Sequence, residues 1–252
     1  MLAIGDFMNI LISNDDGIFS KALLALVKAV SKKHNVLVIA PDGNRSMSAH
    51  SVNFNKIINV EKVDIHNGVL AYKTSGSPCD SVKIAKHAFS DFNVDLVVSG
   101  INLGHNLSSD ILYSGTVSIG YESAYFDIPS FCFSAFSHDD DYDFTDFANL
   151  ALNIIENLYP KLRNNSIINV NFPDKNVIIK GVVTTKLGKF VYDDQCDKIS
   201  ETEFLIHGKE TRETSIDKDT DLEWIKKGYV TITPLIYDKT DYNFIDKLKV
   251  DY

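Results

Sequence analysis

The sequence predicts an α/β protein: three α/β/α layers built on a mostly parallel sheet, with a β-hairpin-rich extension at the C-terminal end. Three observations predict it. Short, continuously apolar runs such as NILIS (residues 9–13), NVLVIA (35–40) and VDLVVS (94–99) have the length of strands buried on both faces. Stretches with helical apolar spacing alternate with them, the β-α-β pattern of parallel strands joined by right-handed crossovers. Beyond residue 173 the alternation stops, and strand-like segments follow one another without helices between them.

The run at 9–13 feeds Asn14-Asp15-Asp16-Gly17, a polar turn sequence that ends a strand. Residues 21–32 place Leu23, Leu24, Leu26, Val27 and Val30 at helical spacing. Residues 35–40 form the second strand, stopped by Pro41-Asp42-Gly43. Segments 57–63 and 69–74 read as further strands, 81–89 as a helix and 94–99 as another buried strand. A helix is predicted over 115–126 and a short strand over 130–134. Residues 138–146 are acidic and dotted with aromatics, which predicts a solvated loop. An amphipathic helix follows over 147–158, then a strand over 166–172 closed by Pro173. Segments 177–185, 189–193 and 203–207 read as strands, 222–227 as a short helix and 229–234 as a last strand.

The 252 residues fit one large domain, and 44% hydrophobic with 23% charged residues excludes a disordered or fibrous chain. With 25 Lys+Arg against 34 Asp+Glu the net charge is −9, which argues against a nucleic-acid duplex as partner. The three cysteines, Cys79, Cys132 and Cys196, are far apart and form no CxxC pair. That excludes a disulfide framework and fits a reducing compartment. The first twelve residues lack a basic segment, and no run approaches the roughly 18 apolar residues of a membrane span. The expectation is a soluble cytoplasmic protein without a membrane partner.

Four loops carry residues suited to chemistry. Parallel sheets bind ligands beyond the carboxyl ends of their strands. There Asp15 and Asp16 follow the first strand directly. Adjacent carboxylates repel, and a hard divalent cation relieves the repulsion; an Asx-turn is the purely local alternative. Asn44-Arg45-Ser46-Met47-Ser48-Ala49-His50-Ser51 follows the second strand with hydroxyls, a guanidinium and an imidazole. Ser99-Gly100-Ile101-Asn102-Leu103-Gly104-His105-Asn106 follows 94–99 with neutral amides and glycines. Tyr113-Ser114-Gly115-Thr116 opens a helix, where free N–H groups favour an anion and a hydroxyl N-cap is the local alternative. Neither GxxxxGKS/T nor GxGxxG occurs, which disfavours a P-loop and a dinucleotide cofactor. Together the loops suit a metal-and-phosphate site, and metal-assisted hydrolysis of a phosphate ester is the natural reaction.

These segments resemble the stationary-phase survival protein family known as survival protein E, which are metal-dependent 5′-nucleotidases. NILISNDDGI, VIAPDGNRSMSAHS, VVSGINLGHN, ILYSGTVSIGYESA, INVNFP and DLEWIKKGYVTITPL all resemble family segments, from about Met8 to about Asp238. The resemblance implies a Rossmann-like core over residues 8–173 within one domain. Residues 174–252 would be a β-rich oligomerisation extension with a C-terminal tail. It implies metal ligands at Asp15, Asp16, Ser46 and Asn102, with Asp15 and Asp16 also catalytic. It places Asn14, Asn106, Ser114, Gly115 and Thr116 around the phosphate. It implies one divalent cation per subunit, Mg²⁺ or Mn²⁺, and a nucleoside monophosphate substrate, with 3′-nucleotides and short polyphosphate as further substrates. A homodimer or homotetramer with C-terminal exchange is implied too, its hairpin within residues 177–207.

The sequence departs from the family pattern in three places. Seven residues precede Met8. Phe19-Ser20-Lys21-Ala22 stands where Ala-Pro-Gly is frequent. The family's Thr-Pro-x-Asp-Cys becomes Ser77-Pro78-Cys79-Asp80-Ser81, which makes Cys79 a structural thiol. His50 is assigned no essential role. Two competing readings are an aspartyl-phosphate phosphatase and a catalytically inactive nucleotide-sensing module. The first wants D-x-D, whereas Asp15 and Asp16 are adjacent. The second sits poorly with an intact donor set.

Overall fold

The computed structural model describes residues 7–137, 142–190, 192–210 and 218–248. The start of the expected acidic loop, residues 138–141, lies outside them, as does residue 191 within the strand expected at 189–193. The elements in chain order are β1 (Asn9–Ser13), α1 (Lys21–Val30), β2 (Asn35–Pro41), β3 (Val60–Val63), β4 (Leu70–Thr74), α2 (Pro78–Ala88) and β5 (Leu96–Leu103). They continue with α3 (Gly115–Tyr125), β6 (Ser130–Ala135), α4 (Thr145–Leu158), β7 (Ile167–Phe172) and β8 (Val182–Thr184). The last are β9 (Tyr192–Lys198), β10 (Phe204–Glu210), α5 (Asp221–Lys226) and β11 (Val230–Leu235).

Nine strands form one sheet in the order β3-β4-β2-β1-β5-β6-β7-β11-β8. From β4 to β7 all neighbours are parallel; β3 and β11 run antiparallel to β4 and β7, and β8 runs parallel to β11. The chain winds outward from β1 to β2 and β4 on one side, then from β5 to β6 and β7 on the other. The switch between the two directions falls between β1 and β5, where doubly wound sheets open a crevice at the carboxyl ends.

Both faces of the central strands are covered, which is why their sequences are apolar without alternation. Ile10, Ile12, Val36 and Val38 pack with Leu23, Leu26 and Val27 of α1 and Ala151 and Ile155 of α4. Leu11, Leu37, Ile39 and Val97 face the other way, against Val82 and Ala85 of α2 and Ile119 of α3. Each such fully buried side chain contributes roughly 1.5–3 kcal/mol relative to exposure. A charged residue at Ile10 or Leu11 would therefore destabilise the strand that carries the site.

Several boundaries differ from the sequence expectation. Helix α2 starts at Pro78, three residues before the expected 81. The Ser77 hydroxyl accepts the Asp80 N–H at 3.2 Å, and the Asp80 carboxylate accepts the Ser77 N–H at 2.7 Å. This is a capping box with proline in the first turn. Helix α4 starts at Thr145, two residues before the expected 147, because Asp143 accepts the Thr145 N–H at 2.9 Å. Of the strand expected over 177–185 only Val182–Thr184 forms, and it joins the main sheet through β11. The antiparallel hairpin is β9–β10, which falls in the second half of the expected 177–207 stretch and runs three residues past its end. Strand β5 spans Leu96–Leu103, starting two residues after and ending four residues beyond the expected 94–99.

Candidate metal and phosphate site

The end of β1 delivers Asn14, Asp15 and Asp16 to the switch point. The Asn14 side chain closes the turn. Its Oδ1 accepts the Gly17 N–H and its Nδ2 donates to the Gly17 carbonyl, both at 3.1 Å. The bonds reach three residues along the chain, one more than an Asx-turn, and they close the turn around the two carboxylates between.

Asp15 is buried and lies against the start of α3. Thr116 Oγ1 donates to Asp15 Oδ1 at 2.5 Å. Burial pushes its carboxyl up from the ordinary range; the Thr116 hydroxyl and the N–H groups of Gly115 and Thr116 hold it partly down. Ser114 is the N-cap of α3, its hydroxyl accepting the Val117 N–H at 3.0 Å. The helix start thus faces the Asp15 carboxylate. A Cβ on Gly115 would stand 2.7 Å from Asp15 Oδ2, so only glycine permits this approach.

Asp16 accepts a single hydrogen bond, from the Leu103 N–H at 3.3 Å. Burial pushes its carboxyl up to about 7, and repulsion from Asp15 adds to the shift. Among the described residues no lysine, arginine or histidine pairs with either carboxylate. The pair is a local excess of negative charge without a counterion among the described residues.

Strand β5 brings Asn102 to the same edge. Its register against β6 shifts between Ser99 and Asn102. Gly100 has φ +116°, and a Cβ there would stand 2.2 Å from the Phe133 carbonyl oxygen, so only glycine lets the strand bulge. Asn102 Nδ2 donates to the Gly104 carbonyl at 2.9 Å, which directs the amide and leaves Oδ1 available as an acceptor. Ser46 is exposed in the loop after β2. Next to it, the Arg45 N–H donates to the Asp15 carbonyl at 2.7 Å and ties that loop to the turn after β1.

Asn106 is buried farther along. Its Nδ2 donates to Ser134 Oγ at 2.8 Å, and its N–H donates to Asn171 Oδ1 at 2.9 Å. Its carbonyl accepts from Asn169 and Asn171. These contacts build it into a network spanning β6 and β7.

A family model described as "Survival protein SurE" matches residues 10–194. The chain belongs to the SurE family. It is 36% identical over 247 residues to a protein named 5'-nucleotidase SurE from Clostridium botulinum (strain Loch Maree / Type A3), covering 95% of this chain and 97% of that one. It is 37% identical over 247 residues to a protein of the same name from Thermoanaerobacter sp. (strain X514), covering 96% and 97%. The crystal structure of the Sure protein from Aquifex aeolicus matches with a TM-score of 0.80 at 32% identity, over 95% of this chain and 98% of that one. The mostly parallel nine-stranded sheet with its small hairpin is thus a SurE fold.

Two features of this SurE chain had no signal in the reading of single segments. The first is the cluster behind the second loop. His50 Nε2 meets Glu122 Oε2 at 2.8 Å, and Lys83 Nζ meets Glu122 Oε1 at 2.5 Å. Cys79 stands close to His50 and Glu122. Lys83 already supplies the cation there, and burial pushes the Cys79 thiol up so that it stays neutral. The second is the Thr116 hydroxyl on Asp15, which joins residues 101 positions apart. All three cysteines are free. No helix among the described residues is long and apolar enough to cross a membrane.

Proposed function

We propose that this chain is a metal-dependent phosphomonoesterase that hydrolyses nucleoside 5′-monophosphates to nucleoside and phosphate. One observation carries the reading: two adjacent, largely buried carboxylates at the sheet's switch point, both pushed toward protonation and with no cationic partner among the described residues. The named activity of the SurE relatives, 5'-nucleotidase, supports it. The donor set fits one divalent cation per subunit, Mg²⁺ or Mn²⁺. Asp15, Asp16, Ser46 and Asn102 offer only hard oxygens, with no thiolate or imidazole among them. Asn102 has its amide nitrogen tied back and its oxygen free, as a ligand requires.

When bound, the cation supplies Lewis acidity toward a phosphoryl oxygen and toward water. The chain's residues do the rest. Thr116, with the N–H groups of Gly115 and Thr116, fixes Asp15. Asp16 is held through one oxygen only, so its other oxygen is available to take a proton from the attacking water. Water oxygen attacks phosphorus, the bond to the 5′-oxygen breaks, and that oxygen takes up a proton from solvent as the nucleoside leaves, so that one water yields one nucleoside and one phosphate. Asn14, Asn106 and Ser114 keep the surrounding loops in place for the phosphate. In the same reading 3′-nucleotides and short polyphosphate are further substrates, and the active form is a homodimer or homotetramer. In one 1–252 domain whose Rossmann-like core spans 8–173, residues 174–252 add β8 and β11 to the sheet edge and, through β9–β10 and the tail, serve as the oligomerisation extension, and the protein works in the cytoplasm.

The test is a phosphate-release screen of purified protein over nucleoside 5′- and 3′-monophosphates and polyphosphate, with each divalent metal and with EDTA. Release from 5′-monophosphates that EDTA abolishes is expected. Binding of nucleotides with no metal-stimulated release would instead mark an inactive sensing module.

A further inference from the structure

We propose that Ser48 is a further anion-contacting residue of this site, its hydroxyl donating to an oxygen of the phosphate group that binds beside Asp15. The inference rests on the phosphomonoesterase reading and gives a role to a hydroxyl of the second loop that had none of its own.

The first observation is an orphan. Ser48 Oγ is shut off from solvent and makes no hydrogen bond among the described residues. A buried hydroxyl without a partner costs about 1–3 kcal/mol. A sequence under selection for stability alone would place alanine there. The second observation is where the hydroxyl stands. A Cβ added to Gly115 would lie 2.9 Å from Ser48 Oγ and 2.7 Å from Asp15 Oδ2. The orphan donor and the buried carboxylate therefore flank the same point at the start of α3.

The third observation concerns the backbone. Met47 has φ 58° and Ala49 has φ 49°, so Ser48 sits between two non-glycine residues in the left-handed region. Each costs about 1 kcal/mol, and such strain gathers at ligand sites. Met47 does not recover it by packing, because its side chain is 80% exposed. The loop is instead pinned on both sides of Ser48. The Arg45 N–H donates to the Asp15 carbonyl at 2.7 Å and the Ala49 N–H to the Tyr113 carbonyl at 3.1 Å. His50 is anchored on Glu122, which Lys83 holds in turn. These anchors tie the loop to the metal loop, to the residue before the α3 cap and to α3 itself. They give a reason for His50 and Glu122 to be paired outside the reacting centre.

The experiment compares wild type with Ser48→Ala in three measurements: thermal unfolding of the metal-free protein, affinity for Mn²⁺ alone, and affinity of the Mn²⁺-loaded protein for inorganic phosphate by calorimetry. Ser48→Ala is expected to leave metal-free unfolding unchanged or raised and Mn²⁺ affinity unchanged. It is expected to weaken phosphate about tenfold, the loss of one hydrogen bond to a charged group. Unchanged phosphate affinity overturns the inference. So does a lowered unfolding temperature in the metal-free protein, which would make the hydroxyl structural. If wild type itself binds neither Mn²⁺ nor phosphate, the reading of the whole site fails and this inference with it.

Discussion

Asp16 carries the electrostatic strain of the site. Its carboxyl is pushed up to about 7 by burial first and by the Asp15 charge second. A carboxyl raised in the folded state favours folding while protonated, and that contribution is lost as pH rises from the ordinary carboxylate range through about 7. A divalent cation removes the same penalty. The stabilisation given by Mn²⁺ is therefore expected to be larger near pH 8 than near pH 5.5, where protons compete for the site. Differential scanning fluorimetry with and without Mn²⁺ at both pH values checks this. Asp16→Asn should raise the unfolding temperature of the metal-free protein near pH 8 and abolish most of the metal response. The two aspartates were legible in the sequence because they directly follow an apolar strand. The Thr116 hydroxyl on Asp15 and the approach of Ser48 Oγ to the start of α3 were not, because no local spacing links positions that only the sheet's winding brings together.

At the scale of elements, the central strands and α1 were legible almost to the residue. Their burial on both faces, or on one helical stripe, is written in a continuous or periodic apolar pattern. The misplaced boundaries have local causes. The Ser77-Pro78-Cys79-Asp80 start of α2 is a capping signal that the apolar pattern alone passes over. The extension of β5 depends on the Phe133 carbonyl beside Gly100, a tertiary contact. The hairpin β9–β10 contacts little of the body and leaves Phe204, Leu205 and Ile206 more than half exposed. That exposure is unfavourable for a free hairpin in water and suits one that docks on a second copy of the chain. Replacing residues 192–210 with a short flexible linker should lower the mass of the assembly measured by light scattering and leave the far-UV circular dichroism of the core. An unchanged assembly mass would remove the hairpin from the interface.

For the whole molecule, two partly or largely buried histidines oppose the trend set by Asp16. Burial holds the imidazoles of His34 and His105 below their ordinary value. His34 Nδ1 accepts the Met8 N–H at 3.4 Å and its Nε2 is buried without a partner, while His105 Nε2 bonds the Phe172 carbonyl at 2.8 Å. A depressed imidazole contributes stability that is present above about pH 6.5 and lost as pH falls through its folded value. Asp16 acts with the opposite sign over part of that range, so variant and wild type must be compared directly. A His34→Gln, His105→Gln double variant should lose less stability than wild type between pH 7 and pH 5 in thermal unfolding.

The net charge of −9 belongs to this scale as well. An acidic surface gives an anionic substrate no long-range attraction. Binding must come from local groups: a cation on Asp15 and Asp16, with the loops around the start of α3. The central claim is thus that these two carboxylates make phosphate release depend on metal. The most direct measurement is metal-stimulated phosphate release from a nucleoside 5′-monophosphate by wild type, Asp15→Asn and Asp16→Asn, with circular dichroism confirming that each is folded. The account predicts that each substitution lowers kcat/KM by about a hundredfold or more, at least about 2.7 kcal/mol in the barrier, and weakens Mn²⁺ binding. Near-wild-type turnover at low metal in either folded variant would contradict it.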